Sequence, residues 1–265
     1  MNNKRNGFSL IELLVACTIL LIMMGGICCI ILALPRIAYS HVSSFLACQQ
    51  NADFWFLLNK DIKNAGYGLL RIPSLATFPL LTITNGDDDK NTCAIFWNKD
   101  DAAAYLLKRA VLSSHTLIIS ATDNIQERNL ALLAENDPIS GDPHWALIRV
   151  TGITPVNESM LKISYVLVSQ GPEQNYVEFH ELAYFLKVEK ILYFFSPDSK
   201  KIERMINDEV FQPVVEHVDK NDFGYCRGTG GFAKRNCIET NIVFQSCPDR
   251  KENFIHVIYA PNIDY

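Results

Sequence analysis

One carboxylate, Glu12, lies inside an apolar run over residues 8–34 that holds no other charge. As a helix those 27 residues span about 40 Å, enough to cross a bilayer core of about 30 Å with some tilt. A carboxylate near the centre of such a helix costs about 3 kcal/mol, so it calls for a cationic partner. The chemistry on offer is therefore charge pairing in a low dielectric, where a matched pair is strong and an unmatched partner is expensive. A second candidate is the stretch from Phe223 to Cys237, which carries Arg227, Lys234 and Arg235 among glycines, between Cys226 and Cys237. It is not a phosphate loop, because no Gly-Lys-Ser/Thr is present. A solvated structural loop is the expected reading; three bases with aromatics also suit a contact with protein, glycan or single-stranded nucleic acid, though three charges alone supply little affinity for DNA. Asp87-Asp88-Asp89, with Asp100-Asp101, offers oxygens to calcium but lacks the twelve-residue loop pattern, so an exposed acidic turn is expected.

Catalytic chemistry has no foothold. The six histidines are scattered, His180-Glu181 lacks H-E-x-x-H spacing, and no G-x-S-x-G elbow occurs. No catalytic, cofactor or metal site is expected. The net charge of −5 gives no global argument for nucleic acid as a partner. Of eight cysteines, Cys17, Cys28 and Cys29 read as small apolar residues in the helix. Cys48, Cys93, Cys226, Cys237 and Cys247 remain, an odd number, in what would be an oxidising compartment. Cys226–Cys237 is the preferred bridge; Cys237–Cys247, or Cys93 with one of the last three, are the competitors.

These groups must be positioned by a long helix and a β-rich body. Ala38, Val42, Phe45, Ala52, Trp55, Leu58, Ile62 and Ala65 recur at helical steps, so the apolar helix should continue past Pro35 and end at Gly66 or Gly68. A bend is expected at Pro35 and looseness at Gly25-Gly26. The cluster Phe54-Trp55-Phe56 reads as core. Beyond it, strands are expected at 80–84, 93–97, 116–120, 145–151, 161–169, 176–185, 189–195, 202–206, 241–244 and 254–259, with short helices at 102–112 and 125–134. The fold class is α+β: a long N-terminal membrane-spanning helix packed on a β-rich globular domain. The expected organisation is a leader over 1–7, the helix over 8–66 and the globular domain over 67–265.

Gly7-Phe8-Ser9-Leu10-Ile11-Glu12, behind the basic Lys4-Arg5 leader, resembles the processing motif of type IV pilins and type II secretion pseudopilins. The resemblance implies a prepilin peptidase that cuts between Gly7 and Phe8 and methylates the new amine. Glu12, four residues on, is the natural counter-ion of that amine, within one chain or across to a neighbouring subunit. Asp61-Ile-Lys63-Asn-Ala65-Gly66-Tyr67 is similar to the helix end of PilW-type minor pilins, with Lys63 where that family often has arginine. The partners so implied are the peptidase, other major and minor pilins, the inner-membrane assembly machinery and membrane lipid. The N-terminus would be cytoplasmic and the body periplasmic, by the positive-inside rule, before entry into a pilus. A minor pilin that primes assembly is the resulting expectation. A J-type pseudopilin, a DNA-uptake pilin using the Arg227, Lys234 and Arg235 loop, and a membrane-anchored periplasmic binding protein are the alternatives. An ordinary secretory signal, a lipoprotein cleaved at Cys17 and a plain anchor fit the N-terminus less well.

Overall fold

The computed structural model describes residues 10–69, 75, 78–85, 91–98, 103–122, 124–136, 141–171, 178–227, 233–247 and 250–261. One helix, α1 (Leu10–Asn64), is 55 residues and so about 80 Å long. It is assigned without a break through Gly25-Gly26 and Pro35. Its first thirty described residues, up to Tyr39, are all exposed. Inside that stretch Thr18 donates its hydroxyl to the carbonyls of Val15 and Leu14, at 2.8 and 3.1 Å, which satisfies a polar group within an apolar helix.

Strands follow. They are β1 (Leu81–Asn85), β2 (Asn91–Trp97), β3 (Ala103–Tyr105), β4 (Ala110–Val111), β5 (Thr116–Ser120), β6 (Leu130–Asn136), β7 (Pro143–Asn157) and β8 (Met160–Gly171). The remainder are β9 (Glu178–Phe179), β10 (Tyr184–Ser196), β11 (Lys201–Ile206), β12 (Gln212–Val215), β13 (Val218–Arg227), β14 (Ala233–Cys247) and β15 (Arg250–Tyr259). This is the expected α+β layout. The main sheet runs β1-β2-β10-β6-β7-β8-β5, with β3, β11 and β12 added beside it; β13-β14-β15 forms a separate antiparallel sheet. β10 is the spine. Its first half pairs with β3 and β6, its second with β2 and β11.

Two expected helices are strands. Residues 130–134 read Leu-Ala-Leu-Leu-Ala, which gives no polar alternation and suits a helix by propensity. The segment is instead a strand buried on both faces: Ala131 and Leu133 enter one core cluster, Leu130, Leu132 and Ala134 another. Likewise 102–112 divides between β3, which pairs with β10, and β4, which pairs with β9, followed by a 3-10 turn at Leu112–Ser114. The expected strand at 176–185 is interrupted by a turn, so that β9 and the start of β10 are separate. β12 and β13 were not foreseen, since β13 is largely polar and contains Gly224.

The helix end is welded to β2 by backbone bonds. Gly66 donates to Phe96 O at 2.8 Å, and Asn98 donates to Tyr67 O at 2.8 Å. Gly66 and Gly68 hold φ of 76° and 70°, the left-handed conformation that turns the chain off the helix. A Cβ on Gly68 would lie 2.5 Å from Asn98 O, a backbone atom that cannot swing aside. Gly68→Ala is therefore expected to destabilise the chain by about 3 kcal/mol, the sum of left-handed strain and overpacking. Thermal melting of the detergent-solubilised chain checks this; an unchanged melting temperature would contradict it.

Candidate assembly interface

α1 does two jobs on opposite faces. Ala47, Asn51, Phe54, Leu58, Asp61 and Ile62 are buried, a run at steps of three and four that packs on the sheets. Val42, Phe45 and Phe56 lie on the other side, 56, 68 and 70 % exposed. This corrects the expected stripe. Leu58, Ile62 and Ala65 are buried as expected, whereas Val42, Phe45 and Ala52 face outward. Positions 45 and 47 are about 200° apart around a helix, so a shift of two residues exchanges the faces. The true stripe was hard to see because it includes the polar Asn51 and Asp61. The Phe54-Trp55-Phe56 cluster divides for the same reason: Phe54 is core, Trp55 half-buried and Phe56 exposed.

Polar contacts at Asp61 and at Asn51 help to fix the buried face. Asp61, with a side chain 2 % exposed, accepts the Tyr193 hydroxyl at 2.6 Å and the Arg204 Nε–H at 2.9 Å on one oxygen. Tyr193 and Arg204 are directly opposite in the β10–β11 ladder, so that hairpin presents both donors to the helix. Burial first, then the Asp61 charge, raises the Tyr193 pKa. For Arg204, burial pulls down, but the hydrogen bond and charge of Asp61 outweigh it and the pKa is raised. Burial also pushes the nearby Cys93 thiol up to about 12, with the Asp61 charge adding to it. Asp61→Ala leaves the half-buried Arg204 without its carboxylate, and is expected to cost about 3 kcal/mol. Denaturant titration of the detergent-solubilised variant tests this; a loss under 1 kcal/mol, about the worth of an exposed ion pair, would contradict it.

The second contact lies on β15. The His256 ring stacks on Trp55 with centroids 4.4 Å apart, and its Nε2 meets Asn51 Oδ1 at 3.0 Å. Burial lowers the His256 pKa, so the folded chain favours the neutral ring. The sign follows: this stability is present above the unfolded value of about 6.5 and is lost as pH falls from there towards the lowered folded value. Melting temperature should drop across that window, and His256→Gln should flatten the drop. An equally steep drop in the variant would contradict the assignment.

The remaining expected residues are placed as follows. Glu12 is exposed near the start of α1. Lys4, Arg5, Gly7 and Phe8 lie outside the described residues, as do Asp87-Asp88-Asp89 and Asp100-Asp101. Cys226 and Cys237 are bridged, with Cα atoms 5.3 Å apart. Cys93 is a buried free thiol, so it is not the partner of a C-terminal cysteine. Arg227 closes β13, and Lys234 and Arg235 open β14; their side chains lie outside the described set. Among the described residues, no group of three or more His, Cys, Asp or Glu is placed to hold a metal ion. α1 is the one described helix long and apolar enough to cross a membrane.

Sequence reasoning placed Asp61 at the helix end and a strand over 202–206 without bringing the two together, and it left His256 among the scattered histidines. Comparison with known proteins adds one finding: residues 2–27 match the family described as the prokaryotic N-terminal methylation motif. That motif marks a prepilin-like chain, a substrate of prepilin peptidase. No curated protein and no solved structure matches this chain.

Proposed function

We propose that this prepilin-like chain is a minor pilin, PilW-type by its helix end, that takes part in priming type IV pilus assembly. The observation that carries the reading is the bare half of α1 joined to the Gly7-Phe8…Glu12 motif. A helix about 80 Å long, whose first thirty described residues are all exposed, leaves a surface that lipid covers first and neighbouring helices cover afterwards. Before assembly the helix spans the inner membrane with the N-terminus cytoplasmic and the body periplasmic. The peptidase cuts between Gly7 and Phe8. Other pilins and the inner-membrane assembly machinery are then the partners, and the chain does no catalysis of its own.

The pairing of Glu12 with the new amine supplies the driving geometry. In the membrane an acid that lacks a cation is costly; a neighbouring subunit's amine relieves that cost at one axial register only. The rigid Asp61 joint transmits that register to the globular domain. Shearing surface fibres tests the reading. The processed chain should be present at low copy beside a main subunit, and its deletion should reduce fibre number. Recovery with a secretion complex instead, with fibres unaffected by the deletion, would contradict it.

A further inference from the structure

Two sheet edges meet without forming a ladder. β1 ends the main sheet and β13 ends the C-terminal sheet; among the described strands β1 pairs with β2 alone and β13 with β14 alone. Leu80 O accepts the Phe96 N–H at 2.9 Å, so the even-numbered residues here bond towards β2. Leu81 and Ile83 therefore direct their N–H and C=O groups outward. Such groups template another strand unless charge, proline or a bulge blunts the edge. β1 reads Leu-Thr-Ile-Thr-Asn, without charge or proline, and its register with β2 is unbroken.

A side chain closes this edge instead. The Tyr225 hydroxyl on β13 donates to Leu81 O at 3.0 Å and accepts the Ile83 N–H at 3.2 Å. One oxygen thus takes both bonds that a residue of an added parallel strand would make: the C=O of one residue and the N–H two positions on. Tyr225 is itself held from several sides. Phe223, two residues back and so on the same face of β13, is buried in one core cluster with Leu81. Ile238, directly opposite Tyr225 in the ladder, is buried in that cluster too. The Cys226–Cys237 bridge ties β13 to β14 at the next residue, where the register shifts.

We propose that the Tyr225 hydroxyl is an autoinhibitory latch, which holds the β1 edge shut against strand pairing with a second copy of this chain. Charge does not oppose that pairing, since β1 carries none. α1 supplies the opportunity: it holds every copy in the membrane in one orientation, so that β1 edges stand at one height and meet by lateral diffusion. The latch keeps stored subunits from joining edge to edge and leaves α1 as the surface through which they assemble. The crowding rests on the membrane-anchored prepilin reading. The latch does not, and exchange and sedimentation in micelles report on it whatever complex the chain joins.

The test compares the full chain with Tyr225→Phe, which keeps the ring and removes the hydroxyl, in detergent with micelles in excess. At low chain concentration, amide exchange over β1 should quicken by about fivefold or more in the variant. Exchange over the β14–β15 ladder should stay at the parent's rate, since no bond there is removed. At higher concentration the variant should sediment as a dimer, at least about tenfold tighter than any the parent forms. Thr84 is exposed on β1. Adding Thr84→Lys places like charges on both edges and should restore the monomer while exchange over β1 remains fast. Parental exchange over β1 in Tyr225→Phe, or a variant monomeric at every concentration, would overturn the proposal. So would association that Thr84→Lys leaves unchanged, since the copies would then be joined elsewhere or unfolded.

Discussion

Gly7→Val leaves the chain as its full-length precursor, with processing slowed by about tenfold or more. On the proposed reading the bond to be cut is the one after residue 7, and the peptidase must bring its reacting groups up to that carbonyl. Glycine permits the close approach and any backbone conformation the enzyme imposes; a β-branched residue restricts both. The substitution lies ahead of α1 and touches none of the contacts at Asp61 or His256, so folding should be unaffected. An immunoblot resolves precursor from product by the seven-residue leader. Mature-length Gly7→Val at the parent's level would contradict the cut site.

Glu12→Val produces the opposite separation: normal processing, with incorporation into fibres reduced by about tenfold or more, a change of about 1.4 kcal/mol or more in assembly. Valine removes an acid that is costly in hydrocarbon, so the variant sits in the bilayer more comfortably than the parent. Any loss must then come from assembly. The cationic amine of Phe8 has lost the group that gave it a single favourable register beside a neighbouring helix. Glu12→Gln keeps the shape and polarity without the charge and should fail equally, which identifies charge as the missing element. Parental amounts of Glu12→Val in sheared fibres, at equal membrane level, would defeat the pairing argument.

How far the fold could be read in advance differed by element, for physical reasons. β5 and β11 fell within a residue of their expected bounds, because short strands bounded by turn residues leave few alternatives. β6 did not, since two-sided burial erases the alternation that marks a strand, and only the neighbouring strands β10 and β7 reveal it. α1 was legible in existence and length but not in the direction it faces. Its buried stripe runs through Asn51 and Asp61, and a pattern built from apolar residues alone passes over both. Polar positions in that stripe become readable once their partners are known, and those partners, Tyr193, Arg204 and His256, are more than 130 positions away along the chain. Glu12 stands out in the sequence for the converse reason: a carboxylate in an apolar run is conspicuous without any knowledge of its neighbours. The site splits accordingly, with its N-terminal half visible in local sequence and its docking half visible only in three dimensions.

Central to the account is that the working chain begins at a new amine four residues from Glu12. Intact mass with N-terminal fragmentation, on protein taken from its native membrane, tests it most directly. The predicted result is a chain that starts at N-methylated Phe8 and lacks the seven leader residues. A chain that starts at Met1, or at a lipid-modified Cys17, would contradict it.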